Sequence, residues 1–250
     1  ELTMQNGIPL TDEMQLQLTE RYGGLEAWSS ALMAPHYGAA WAWAGNTPFH
    51  HTKLVASHFG GTRNPMAISW PRRITPDAAV RGQFHHVNDI TPTIYEILGI
   101  TAPEVVDGHE QKPLDGTSLA YTFDGADEPG RKSVQYFENS ASRGIYRDGW
   151  YACAFGPFVP WDTASTAQRM AAWNAETEPW ELYYLPEDFS QANDLAAAQP
   201  EKLVELKDLF KEVSRDNLVW PVGAGLWLRA HPEDRISSPY TRWRFDSACT

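Results

Sequence analysis

The chain has 250 residues, 42% of them hydrophobic, with eleven tryptophans and ten tyrosines, a load that fits a packed globular protein and excludes a disordered one. Its net charge of −12 excludes nucleic acid and anionic membrane surfaces as partners, because phosphate binding needs clustered Lys and Arg. A small anionic substrate remains open to it, since a few focused cations act inside an acidic protein.

In chain order, residues 11–21 (TDEMQLQLTER) read as a short helix with Thr11 or Asp12 as N-cap, stopped by Gly23-Gly24. Residues 41–49 read as a glycine- and proline-bounded loop ordered by its aromatics. The stretch 47–71, TPFHHTKLVASHFGGTRNPMAISWP, organises the rest. In it Lys53 stands among His50, His51 and His58. Gly60-Gly61 reads as a tight turn, and residues 66–70, closed by Pro71, read as a buried core strand. Residues 72–81 are a polar connection.

Thr91 then suits an N-cap with Pro92 at the first helical position. Ile94, Ile97 and Leu98 make an apolar stripe and Gly99 a C-cap. His85 and His86, just ahead of this helix, read as hydrogen-bonded structural residues. Residues 124–132 are polar and turn-rich and mark a subdomain boundary. Asp124, Asp127 and Glu128 lack the spacing of a calcium loop.

Beyond the boundary, residues 133–137 read as a strand, 142–155 as a hairpin turning at Arg147-Asp148-Gly149, and 180–185 as another strand. Residues 156–178 read as an irregular, Ala-rich insertion. Residues 200–215 carry the clearest helical pattern, with Leu203, Leu206, Phe210 and Val213 on one face. Residues 216–250 read as an aromatic extension over the surface. The two cysteines, Cys153 and Cys249, make neither a disulfide framework nor a zinc spacing. No apolar run approaches the roughly 20 residues of a membrane helix. Glu1 opens no signal-peptide pattern, so a soluble chain is expected, of unassigned compartment. The absent start methionine implies a truncated or processed chain.

Lys53, Gly60, Gly61, Arg63, Pro65, Trp70 and Pro71, with the lead-in WAWAGNTPF at 41–49, resemble the sulfatases of the alkaline-phosphatase-like superfamily. The Asp89-Ile90-Thr91-Pro92-Thr93 helix, the Asp115–Leu119 segment and the strand–strand–helix order after residue 133 are similar to theirs as well. The resemblance implies an α/β fold. Residues 1–130 would be the C-terminal part of the main domain, and residues 131–215 a small antiparallel sheet packed on one long helix. Residues 216–250 would be an extended tail.

It also implies sulfate-ester hydrolysis by a formylglycine nucleophile beside a calcium ion. A phosphonate or phosphate-ester hydrolase of the same superfamily, and a non-catalytic binding module, are the alternatives. By this resemblance Lys53 binds a sulfate oxygen near the bridging position, with His51 as a further substrate-binding candidate. On its residues alone, Lys53 is as readily a solvated surface lysine.

The formylglycine motif is absent: Ala154, Phe155, Gly156 and Pro157 follow Cys153. The calcium ligands are absent too. Gln5-Asn6-Gly7 only superficially matches Asp-Asn-Gly, and Asn6 is not assigned to metal. The histidines of residues 50–58 fit no common zinc spacing, and Arg63 is expected to meet a carboxylate or a loop carbonyl. The chain alone is therefore expected to be inactive, without a metal site. It should take a small-molecule sulfate ester only as part of a complete enzyme. An exposed apolar patch, with self-association through it, is expected where the remainder would dock.

Overall fold

A computed structural model describes residues 11–27, 30–31, 39–159 and 166–223. Asn6, Cys249 and nearly all of the 216–250 extension lie outside them. The elements begin with helices α1 (Asp12–Arg21), α2 (Ala39–Gly45), the four-residue α3 (Phe59–Thr62) and α4 (Ile90–Leu98). A small ribbon follows, of β1 (Val105–Val106) and β2 (His109–Glu110). Strands β3 (Val134–Asn139), β4 (Ser142–Arg147) and β5 (Trp150–Ala154) come next, then helix α5 (Thr166–Ala172), strand β6 (Glu181–Tyr184) and helix α6 (Pro200–Asp216).

Strands β3 to β6 form one antiparallel sheet in the order β3-β4-β5-β6. Two two-residue turns set its register. Ser140-Ala141 joins Asn139 to its partner Ser142, and Asp148-Gly149 joins Arg147 to Trp150, all four turn residues at positive φ. That backbone matches the twist of the flanking strands. Helix α6 opens on Pro200 and lays Leu206 and Phe210, 0% and 1% exposed, across one face of the sheet. There they meet Ile145, Ala152, Leu182 and Trp180, with Leu203 and Val213 at the edge. The hairpin, the last strand and the long helix are as the pattern predicts.

The insertion between β5 and β6 is less irregular than its composition reads: α5 forms within it. A buried ion pair holds it down. Arg143 Nη1 meets Glu178 Oε2 at 2.6 Å, and Glu178 also accepts from Gly156 N and Trp173 Nε1. Arg143 fills its remaining valences with the Ala141 and Ala175 carbonyls, so neither buried charge is left uncompensated.

Ahead of the sheet, four expectations are corrected. Residues 41–49 are half helical: Ala-Ala-Trp-Ala-Trp-Ala has the propensity for α2, which stops at Gly45. Gly60-Gly61 is no tight turn but the middle of α3, neither glycine at positive φ.

Residues 66–70 form no strand and are not buried; Met66 and Ile68 are 57% and 44% exposed. A strand needs a neighbour for its N–H and C=O groups, no described strand pairs with this run, and prolines close both its ends. Helix α4, finally, is not capped by Thr91. A 3₁₀ turn, Val87–Asp89, leads into it, and Asp89 Oδ2 accepts from His86 N while His86 Nδ1 accepts from Asn88 N. Pro92 still falls in the first turn, where its missing N–H is harmless. Gly99 caps the other end at φ 66°.

The apolar stripe of α4 is not buried either. Ile94, Ile97 and Leu98 are 45%, 36% and 62% exposed. What holds the helix is polar. Thr93 Oγ1 donates to Asp89 O and accepts from Leu119 N, both at 2.7 Å. Wholly buried Asp89 takes bonds from Lys132 Nζ (2.7 Å), Thr117 N (2.8 Å) and His86 N (2.8 Å), and pairs with His85 Nδ1 (2.9 Å). Burial pushes its carboxyl up, and these bonds together outweigh it, so its pKa lies below the ordinary range. His85 and His86 have the structural roles expected of them. No described helix is long and apolar enough to cross a membrane.

Candidate functional site

The loop from Asn46 to Thr62 is bound at both ends and in its middle. Asn46 Nδ2 donates to the His51 and Gly60 carbonyls at 3.0 and 2.9 Å. Gly60 N donates to His50 O at 2.9 Å. A Cβ on Gly60 would collide with the His50 and His51 carbonyls, and one on Gly61 with that of Val55, so the pair exists for close approach.

The sheet holds the loop's far side. Tyr151 Oη donates to Ala56 O, Ser57 N donates to Ser142 Oγ, and Gln191 clamps Phe59 N and Ser57 O with its side-chain amide. Tyr151, paired with Tyr146, reaches across because its ring passes over Gly144 of β4, whose missing side chain leaves room for it. Arg63 donates to Phe189 O at 3.3 Å and lies over Phe49, Phe59 and Phe189, 5.0–5.7 Å from their centroids. A loop carbonyl is one of its two expected partners.

Lys53 projects from this clamped loop, exposed, and among the described residues no hydrogen bond or ion pair engages it. His51 and Leu54 beside it have φ of 67° and 80°, a left-handed backbone that is strained for residues with a Cβ. His51 is half-buried, with Trp43 edge-on at 5.0 Å and His58 at 4.4 Å. Burial, then the neighbouring His58 and His50, lower its pKa to about 4, with Glu181 opposing. Its imidazole is therefore neutral at pH 7.

His58 points inward, away from the loop tip. Its Nδ1 lies 2.8 Å from Ser57 Oγ and its Nε2 3.0 Å from Glu181 Oε2. The order Ser57–His58–Glu181 has the connectivity of a nucleophile, base and orienting acid. Ser57, however, is 0% exposed and bonded to Ser142 Oγ, so no substrate reaches it. The row is a latch between loop and sheet. Glu181 is held below the ordinary carboxylate range by the His58 bond, against burial, with Tyr183 Oη adding a second bond at 2.8 Å. Cys153, wholly buried, has its thiol pushed well up by burial and by Glu181. The sequence reading missed Glu181, Gln191 and Tyr151, which reach the loop only through the sheet. The signal for Glu181 was its register: it stands directly across from Cys153 on the neighbouring strand.

The small antiparallel sheet thus carries the long helix on one face and clamps a lysine-bearing, glycine-paired loop on the other, an arrangement in keeping with an alkaline-phosphatase-like fold. The comparisons agree with it. The chain is 29% identical over 177 residues to an uncharacterized sulfatase of Schizosaccharomyces pombe, a match taking in 68% of this chain and 28% of that protein. The crystal structure of Ps i-CgsB superposes with a TM-score of 0.52 at 20% identity, over 76% of this chain and 38% of that one. A protein studied in the metabolism of multiple glycosaminoglycans by Bacteroides thetaiotaomicron gives 0.47 at 21% identity, over 64% and 30%. No family model matches the chain. The chain is thus similar in sequence to a sulfatase, and it spans 28% of that protein's length.

Proposed function

We propose that this chain is the C-terminal portion of a sulfatase hydrolysing aryl or alkyl sulfate esters, and that it supplies Lys53 to bind a sulfate oxygen near the bridging position. The observation that carries this reading is the loop itself. It is clamped at both ends, is left-handed at His51 and Leu54, and leaves the one cation between them unengaged among the described residues. Left-handed non-glycine residues cost about 1–3 kcal/mol each and gather where a side chain must be held for use. The sequence relationship to a sulfatase supports the reaction class.

Charge builds on the bridging oxygen as the ester bond breaks, so an ammonium fixed beside it gains strength toward the transition state. His51, neutral at pH 7, lines the same mouth as a hydrogen-bonding group rather than a second charge. The exposed indoles of Trp41 and Trp43 suit an aryl or alkyl group.

The calcium ion and formylglycine of the family do not fit the described residues. The convergent ligand group among them is His58, Cys153 and Glu181, with a single carboxylate, whereas calcium takes six to eight oxygens. This chain's part is charge and positioning.

Purified chain 1–250, assayed with an aryl sulfate and an aryl phosphate with and without calcium, should show no turnover above a mock purification. Turnover that disappears in Lys53→Ala would show that the chain carries its own machinery and overturn the half-site reading. In a complete enzyme containing this segment, Lys53→Ala should lower kcat more than it raises KM, a loss of about 2–4 kcal/mol. Unchanged turnover on an aryl sulfate would remove Lys53 from the site.

A further inference from the structure

His58, Cys153 and Glu181 come from the loop, β5 and β6, and each aims a potential metal-ligating atom at the same point. His58 Nε2 lies 3.0 Å from Glu181 Oε2, Cys153 Sγ lies 3.9 Å from that oxygen, and all three atoms fall within 4.8 Å of one another. Four-coordinate zinc bonds N, S and O at about 2.0–2.3 Å, which sets its ligand atoms about 3.3–3.8 Å apart. Closing the group around an ion needs shifts of about 1 Å, within the reach of the Glu181 side chain, which is 41% exposed and opens the group to solvent. We propose that this group is a binding site for a zinc-class divalent cation, independent of the sulfate-binding loop tip and of any calcium site.

The surroundings are those of a built site. His58 and Cys153 are 4% and 0% exposed, on a loop and a sheet joined by the Tyr151–Ala56 and Ser57–Ser142 hydrogen bonds. The other ring nitrogen of His58 contacts Ser57 Oγ at 2.8 Å, and Ser57 is in turn fixed by Ser142. Such a second contact orients a ligating imidazole and leaves Nε2 free to bond metal. Gln191 Nε2 lies 3.8 Å from Cys153 Sγ and Tyr183 Oη donates to Glu181, so the sulfur and the carboxylate each have a supporting partner. Thiol, imidazole and carboxylate together select zinc or cobalt over calcium and magnesium, which prefer oxygen alone. On binding, the Cys153 S–H bond breaks, its proton leaves to solvent, and sulfur bonds the metal as thiolate; the proton that His58 Nε2 shares with Glu181 is given up as well, the neutral ring keeping its one N–H on Nδ1 toward Ser57 Oγ. No oxidant or reductant is involved. The fourth position lies on the open side of Glu181, where water completes the shell.

The test is direct titration of chelator-treated chain 1–250. Calorimetry with Zn²⁺ should give one tight equivalent, and Ca²⁺ and Mg²⁺ none. Co²⁺ should give a near-ultraviolet thiolate-to-cobalt band and tetrahedral visible absorption. Cys153→Ser should abolish the thiolate band, and Glu181→Gln, its fold verified by circular dichroism, should weaken zinc binding by more than the 10–100-fold typical of an outer partner. Cys249→Ser should change neither. No tight zinc equivalent, a cobalt spectrum without a thiolate band, or zinc affinity unaltered in both Cys153→Ser and Glu181→Gln would overturn the site. None of these readouts depends on sulfatase activity.

Discussion

Residues 134–222 and residues 63–118 are built on opposite terms. The first region encloses its apolar side chains: Ile145, Ala152, Leu182, Leu206 and Phe210 are all at most 1% exposed between sheet and helix. The second shows many of its aliphatic residues to water. Met66, Val87, Ile94, Leu98 and Val105 are 57%, 70%, 45%, 62% and 55% exposed. Its order comes instead from Asp89 and the polar groups converging on it. A region that can pair its own strands closes its own core. A region whose extended run and helix stripe find no partner is ordered by hydrogen bonds converging on one buried carboxylate. The apolar patch that the sequence reading expected would lie among these exposed aliphatics.

The contrast can be broken from either side, and the buried centres should respond most. Phe210→Ala removes the ring stacked on Tyr136 at 4.9 Å and edge-on to Trp180; chemical denaturation should register a loss of about 3–5 kcal/mol. Lys132→Ala leaves Asp89 as a buried uncompensated carboxylate and should cost a similar ~3–5 kcal/mol. If it proves neutral, polar anchoring is not what orders the second region.

Acid should sharpen the comparison next. His51 holds a folded pKa of about 4 against an ordinary 6.5, so below 6.5 the unfolded chain takes up the proton that the folded chain refuses, and stability falls from pH 6.5 toward 4. Asp89 and Glu181 have depressed folded values, so their contribution is present above the ordinary carboxylate range and is lost as pH falls through those lower values. Thermal midpoints should therefore decline in two stages. His51→Gln should flatten the first stage alone; a profile unchanged by that substitution would contradict the assignment.

The smallest effect on folding should come from the exposed stripe. Ile97→Lys should alter stability by within about 0.5 kcal/mol while reducing self-association in sedimentation velocity. A wild-type chain that stays monomeric at high concentration would show that the exposed aliphatics seek no second copy.

Much of the first region was legible in the one-dimensional pattern, because its turns and periodicities are short-range. Alternation, two-residue turns and the 3.6-residue period of α6 state their partners within about 20 residues, so hairpin, helix and register follow from local chemistry. The same reading misplaced residues 66–70. An apolar run reports that burial would be favourable, not that a partner is there to provide it. The glycine pair was seen but its reason was not, since collision with the carbonyls of residues 50, 51 and 55 exists only once the loop has closed.

Composition, the lysine loop and the order of strands and helix determined the fold class and the likeness to sulfatases, because those signals are carried by contiguous residues. The convergence of His58 with Cys153 and Glu181 belongs to the tertiary structure. These residues lie 95 and 123 positions from the histidine, and only the β5–β6 register and the clamping of the loop by Tyr151 and Gln191 bring the three side chains to one point.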